Sequence, residues 1–141
     1  MNSLLDTNVV SEFMQARPDS TVIGRLKELD FSLTHLSVAT IAEIRLGIER
    51  LPLGRRRAAL EQWLVFELPL LFEDNLLPIT EVVADRCGVI RARSLDAGRP
   101  ISIADAFIAA TADVHGLTLV TRNVRDFEVW GGPVYNPWAD N

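Results

Sequence analysis

Two hydrophobic rhythms alternate along this chain. Short apolar runs at 2–6 (NSLLD), 31–37 (FSLTHLS), 76–80 (LLPIT) and 117–121 (LTLVT) read as buried strands, the last being the clearest. Between them, apolar residues recur at helical spacing: Val22, Ile23, Leu26 and Leu29 in one segment, Ile41, Ile44, Ile48 and Leu51 in another. A helix over 8–16 ends before Arg17-Pro18, and Asp19 caps a second running to about Asp30. Ser37 precedes a third, stopped by Pro52 and Gly54, and a fourth covers 55–66 until Pro69 breaks it. Thr80 caps a long helix to Ala97, with Gly98 as its left-handed stop. Ser102 opens the last helix, which Gly116 ends, and a short strand near Val134-Tyr135 closes an edge. This alternation predicts an α/β fold, one domain over residues 1–141, whose mostly parallel sheet is covered by helices on both faces.

Composition narrows the class. With 48% hydrophobic and 23% charged residues among 141, the chain resembles an ordinary folded domain, which argues against disorder. A net charge of −5 argues against a protein that coats nucleic acid through bulk electrostatics. The cations are local: Lys27 is the lone lysine, and Arg55, Arg56 and Arg57 form a cluster. Arginine binds phosphate through two parallel hydrogen bonds, so a basic patch stays compatible with an acidic chain. Cys87 stands alone, which leaves no disulfide framework and no cysteine-based zinc site. With His35 and His115 as the only histidines, a histidine metal site has too few ligands. The start is not that of a signal peptide and no long apolar run occurs, so the reduced cytoplasm is the expected compartment and no membrane is expected as a partner.

The chemistry concentrates in four carboxylates. Asp6 ends the first apolar run and is followed by Thr7 and Asn8; Glu43 lies inside a mostly apolar helical pattern. Asp105 follows the cap Ser102, and Asp126 follows the segment LTLVTRNVRD. Ligands of open α/β sheets bind beyond the carboxyl ends of the strands, where Asp6 and the segment 121–126 fall. Carboxylates gathered from distant segments repel one another unless a cation sits between them, and hard oxygen ligands suit Mg²⁺ or Mn²⁺. Each residue also has a plainer reading. Asp6 fits an Asx turn or helix cap. Ser102-x-x-Asp105 resembles a capping box with aspartate in place of glutamate. Asp126 fits a loop residue paired with Arg122 or Arg125, with Asn123 competing for its role. Glu43 resists such a reading, because positions three and four away hold Ala39, Thr40, Leu46 and Gly47 and offer no cation. His35 and His115 read as structural, Arg55 to Arg57 as a solvated helix face, and Trp63, Trp130 and Trp138 as packing or subunit-contact residues rather than base-stacking platforms.

Taken in order, LLDTNVVSE, SVATIAEIRLGIERL with Glu43, ISIADAFIAATA with Asp105, LTLVTRNVRDF and the tail VYNPW resemble the PIN-domain ribonucleases. The likeness is to the VapC/FitB-like toxins of type II toxin–antitoxin pairs and covers nearly the whole chain. It implies a PIN-like three-layer fold and Mg²⁺-dependent RNA cleavage, with Mn²⁺ able to substitute. Asp6, Glu43 and Asp105 are then the catalytic and metal-holding set. The family's fourth acidic position falls close to Asn123, where this chain has an amide, so Asp126 is a candidate fourth ligand. Thr7, Asn8 and Asn123 would orient ligands or phosphate, and Arg122 and Arg125 would steer RNA. The resemblance further implies a homodimer silenced by a VapB/FitA-like antitoxin, which brings the complex to operator DNA. Two rivals stay open: a catalytically silent dimeric binding protein of the same fold, and an aspartate-nucleophile phosphatase. The phosphatase lacks the second carboxylate it needs, since Asn8 stands two residues after Asp6.

Overall fold

The computed structural model describes residues 1–139. Strands β1 (Ser3–Leu5), β2 (Thr34–Ser37), β3 (Leu76–Leu77), β4 (Thr118–Val120) and β5 (Val134–Tyr135) form one sheet in the order β3-β2-β1-β4-β5. All pairings are parallel, with Ser3 opposite both Thr34 and Thr118, Leu36 opposite Leu76, and Leu119 opposite Val134. Parallel strands require crossovers, and helices supply them. Successive side chains on a strand point to opposite faces, so Leu4 and Leu119 enter one core while Leu5 and Val120 enter the other. The first core is closed by α6 (Glu81–Asp96) and α7 (Ile103–His115), the second by α1 (Thr7–Phe13), α2 (Ser20–Lys27) and α3 (Val38–Glu49). Burial on both faces is why these strands read as continuous apolar runs. Ala106, Ala109, Ala110 and Ala112 are fully buried on α7, and their small side chains let that helix lie close against its neighbours.

Local chemistry sets the helix ends. The Asp19 carboxylate accepts from Thr21 and Val22 N–H, and the Ser37 hydroxyl from Ala39 N–H. The Thr80 hydroxyl accepts from Val83 N–H. Gly98 and Gly116 take φ of +67° and +65°, the left-handed turn that stops α6 and α7 and that a Cβ would strain.

Five expectations shift. The first helix spans Thr7–Phe13 rather than 8–16, and α2 ends at Lys27. Asp30 instead caps a 3-10 turn, Phe31–Leu33, so β2 begins only at Thr34. Pairing of β3 stops at Leu77, because Pro78 has no N–H to donate. Pro69 does not break its helix. After α4 (Arg55–Gln62) the chain widens into a π-turn, Trp63–Glu67, and resumes as α5 (Leu68–Leu71). Leu68 N–H donates to the Trp63 carbonyl five residues back. Pro69 thus falls in the opening turn of a fresh helical segment, where its missing N–H costs little. Among the described residues, no helix is long and apolar enough to cross a membrane.

Candidate metal centre

The sheet order places β1 at the centre, with β2 on one side and β4 on the other. The crevice beyond the carboxyl end of β1 is therefore the topological switch point, the usual ligand site of an open α/β sheet. Asp6 stands there, its N–H donating to the Val120 carbonyl of β4 at 2.9 Å. The side chain is 3% exposed. One oxygen accepts from Thr7 N–H at 2.7 Å, the helix-cap bond of the plainer reading. The other accepts from the Thr121 hydroxyl at 2.7 Å and the Asn8 amide at 3.2 Å. Asn8 also reaches Thr121 at 3.3 Å and accepts from Arg122 N–H at 3.2 Å, lacing the ends of β1 and β4 together.

Glu43 arrives from α3. Its Oε1 accepts from the Thr7 hydroxyl at 2.6 Å. Thr7 lies 3.4 Å from the Thr40 hydroxyl as well. Having one proton, Thr7 gives it to the carboxylate, and Thr40 donates to Thr7. Asp105 arrives from the first turn of α7, where its N–H donates to the Ser102 hydroxyl at 3.1 Å. The return bond of a capping box, from Ser102 N–H to the carboxylate, is not made among the described residues, and the Ser102 hydroxyl lowers the Asp105 pKa less than burial and the charges of Asp6 and Glu43 raise it. Asp6, Glu43 and Asp105 each offer an oxygen, and all three oxygens lie within 4.8 Å of one another.

Three carboxylates at that spacing cannot all ionise freely. Burial is the main cause that raises the Asp6 pKa above its ordinary value, against the lowering bonds from Thr121 and Thr7. Asp105 is pushed up to about 6, first by burial and then by the charges of Asp6 and Glu43. Such a cluster takes up either a proton or a cation. Its donors are all hard oxygens with no histidine or thiolate, and they open on a cleft of about 460 Å³, so the set fits Mg²⁺ or Mn²⁺ and their retained waters.

The remaining candidates divide between two clefts. Asn123, Arg122, Thr7 and Asn8 line the cleft of the three carboxylates. Asp126 and Arg125 line a neighbouring one of about 450 Å³, which shares Asp105. Asp126 lies in an exposed 3-10 turn, Val124–Phe127, and offers no oxygen to the three-carboxylate group, though its charge contributes to raising both aspartates. Among the described residues, neither Arg122 nor Arg125 forms an ion pair with it. Within the arginine cluster, Arg57 pairs Glu49 at 2.6 Å and Glu61 at 3.2 Å, and Arg56 donates to the Met14 carbonyl at 3.4 Å. A His35 ring nitrogen sits 3.2 Å from the Ser3 carbonyl, and the Trp130 indole donates to Asp113 at 3.1 Å.

Two residues escaped the sequence reading. Thr121 anchors Asp6, and the signal for it was a hydroxyl residue closing an apolar strand. Trp138 packs on the core but also lines the acidic cleft, under Arg122, rather than serving packing alone.

Known proteins resemble this chain in sequence and fold. The chain is 39% identical over 137 residues to Toxin FitB of Neisseria gonorrhoeae, covering 97% of this chain and 99% of the relative. It is 34% identical to VapC ribonuclease Y4jK of Sinorhizobium fredii, covering 96% of both. Among solved structures, FitAB bound to the IR36 DNA fragment superposes with a TM-score of 0.89 at 36% identity, over 98% of this chain and 96% of that one. The model of the PIN domain matches residues 3–130, and with that the chain belongs to the PIN domain family.

Proposed function

We propose that this chain is the toxin of a type II toxin–antitoxin pair and acts as a Mg²⁺-dependent endoribonuclease, with Mn²⁺ able to replace Mg²⁺. The observation that carries the reading is the convergence of Asp6, Glu43 and Asp105 from three separate elements within 4.8 Å, one of them buried. Relatives named as a VapC ribonuclease and as Toxin FitB support it. Asp6, Glu43 and Asp105 hold the cation, directly or through water. When bound, that cation lowers the pKa of a water and offsets charge on the phosphate, the help that phosphodiester hydrolysis needs. The chain's own groups prepare the site. Thr7 and Thr121 fix the Glu43 and Asp6 carboxylates by short bonds, so no rotamer search is needed when a ligand arrives. Asn123 lies where an amide can donate to a phosphate oxygen, a fourth contact made without a fourth charge. Arg122 and Arg125 bring positive charge to the rims of the two clefts and counter the acidic field that repels RNA. Attack by water leaves 5′-phosphate and 3′-hydroxyl ends.

The resemblance to FitAB bound to a DNA fragment supports a cognate antitoxin that silences this chain and brings it to operator DNA, and the reading extends to a homodimer in the cytoplasm. The test is cleavage of total cellular RNA by antitoxin-free protein with Mg²⁺, Mn²⁺ or EDTA. Discrete metal-dependent products that vanish in D6N and D105N are expected. A fully active D6N protein overturns the assignment.

A further inference from the structure

Trp138 and Arg122 form a unit at the mouth of the acidic cleft. Arg122 lies over the indole, its guanidinium carbon 5.4 Å from the ring centroid. Both partners are tethered. Arg25 of α2 donates to the carbonyls of Pro137 at 2.9 Å and Ala139 at 2.6 Å, pinning the tail on either side of Trp138. Trp138 N–H donates to Asn136 Oδ1 at 2.9 Å, and Arg122 N–H to Asn8 Oδ1 at 3.2 Å. Four carboxylates, Asp6, Glu12, Glu43 and Asp105, line the same cleft, yet among the described residues Arg122 makes no ion pair with any of them.

An arginine paired with Asp6 or Glu43 would compete with a cation for the same oxygens. The cation–π contact resolves the conflict. A guanidinium carries five N–H donors, so holding its charge over the indole leaves donors free for another partner. We infer that Trp138 is a positioning residue: its indole holds Arg122 off the carboxylates and presents the guanidinium to a phosphate of the RNA strand, one flanking the phosphate at the acid site. The inference rests on the ribonuclease reading and adds to it a strand contact and the residue that sets it.

The experiment is a double-mutant cycle on antitoxin-free protein, measuring kcat/KM for cleavage of fluorescein-labelled, random-sequence RNA across a salt series. R122Q lowers kcat/KM about tenfold or more, the loss of a charged hydrogen bond. It also flattens the log–log salt dependence by about 0.7, the signature of one phosphate contact on a single strand. W138A costs about three- to fivefold, the scale of an exposed cation–π contact, and W138F restores most of it. Added to R122Q, W138A costs nothing more, because it acts through a guanidinium no longer there. W138L, which keeps apolar volume without a ring, reads the same cycle if W138A melts early. A Trp138 variant equally harmful with and without Arg122 overturns the inference, and so does an unchanged salt slope in R122Q. Hydrolysis of bis(p-nitrophenyl) phosphate with Mn²⁺ by wild type but not by D105N checks the underlying reading separately. If neither that substrate nor RNA is hydrolysed, the ribonuclease reading falls; if the small diester is hydrolysed while the RNA pool stays intact, the strand contact falls.

Discussion

Replacing Asp105 with asparagine should make the metal-free protein more stable while destroying its activity. Burial and the charges of Asp6 and Glu43 raise Asp105 from 3.8 to about 6. At about 1.4 kcal/mol per tenfold change in the ionisation constant, that rise amounts to about 3 kcal/mol for a fully shielded carboxylate. Asp105 is only partly buried, and solvent screening reduces the figure to roughly 1–2 kcal/mol. Negative charge in the first turn of α7 favours the helix by about 0.3–1 kcal/mol, which D105N forfeits. The net gain is on the order of 1 kcal/mol, or about 3–4 °C in Tm for a chain of this size. Its pH dependence has a fixed sign. Between 3.8 and about 6 the folded protein binds more protons at Asp105 than the unfolded chain does, so wild-type stability falls as pH rises through that window. The advantage of D105N should therefore be full at about pH 7.5 and nearly gone at about pH 4. Thermal melts in EDTA at the two pH values read it directly. Saturating Mg²⁺ at about one hundred times Kd should raise the wild type by about 2.7 kcal/mol at neutral pH and leave D105N almost unmoved. A D105N protein less stable than wild type at neutral pH would refute the reasoning, since Asp105 would then be a structural cap and not a strained ligand.

Other expectations follow from the same geometry. D6N should lower metal-dependent RNA cleavage by about a hundredfold or more with an unchanged circular dichroism spectrum, as the central ligand is lost. T7V removes the hydroxyl that fixes Glu43 and should weaken Mg²⁺ binding roughly 10- to 100-fold, read by calorimetry, with T7S recovering most of it. D126N should change RNA cleavage less than about threefold, because Asp126 offers no oxygen to the cluster; a loss like that of D6N would make it a ligand. L119A, at a fully buried position in the central region of the sheet, should cost about 2–5 kcal/mol in urea denaturation.

Much of this protein was legible in its residues. Short apolar runs and helical spacing place every strand and most helices, because those patterns reflect which faces must leave water. The caps Asp19, Ser37, Thr80 and Ser102, and the stops at Gly98 and Gly116, are short-range chemistry and sit where the sequence places them. Asp6 stood out at the end of an apolar run, Asp105 at the start of a small apolar helix, and Glu43 because no cation lies three or four positions away. What the residues alone left open depends on distance in space. Nothing local shows that a π-turn lets Pro69 sit inside a continuing helix, or that Asp30 begins a turn and not a strand. Whether Asn123 or Asp126 faces the three carboxylates is decided by how the chain turns after β4, a matter of a few ångströms. Thr121 meets Asp6 across a separation of 115 residues, and Trp138 meets Arg122 where Arg25 and the pairing of β4 with β5 hold the tail. Solvent and backbone geometry write the elements into the sequence, whereas the parallel pairing of β1 with β4 determines which side chains share the crevice.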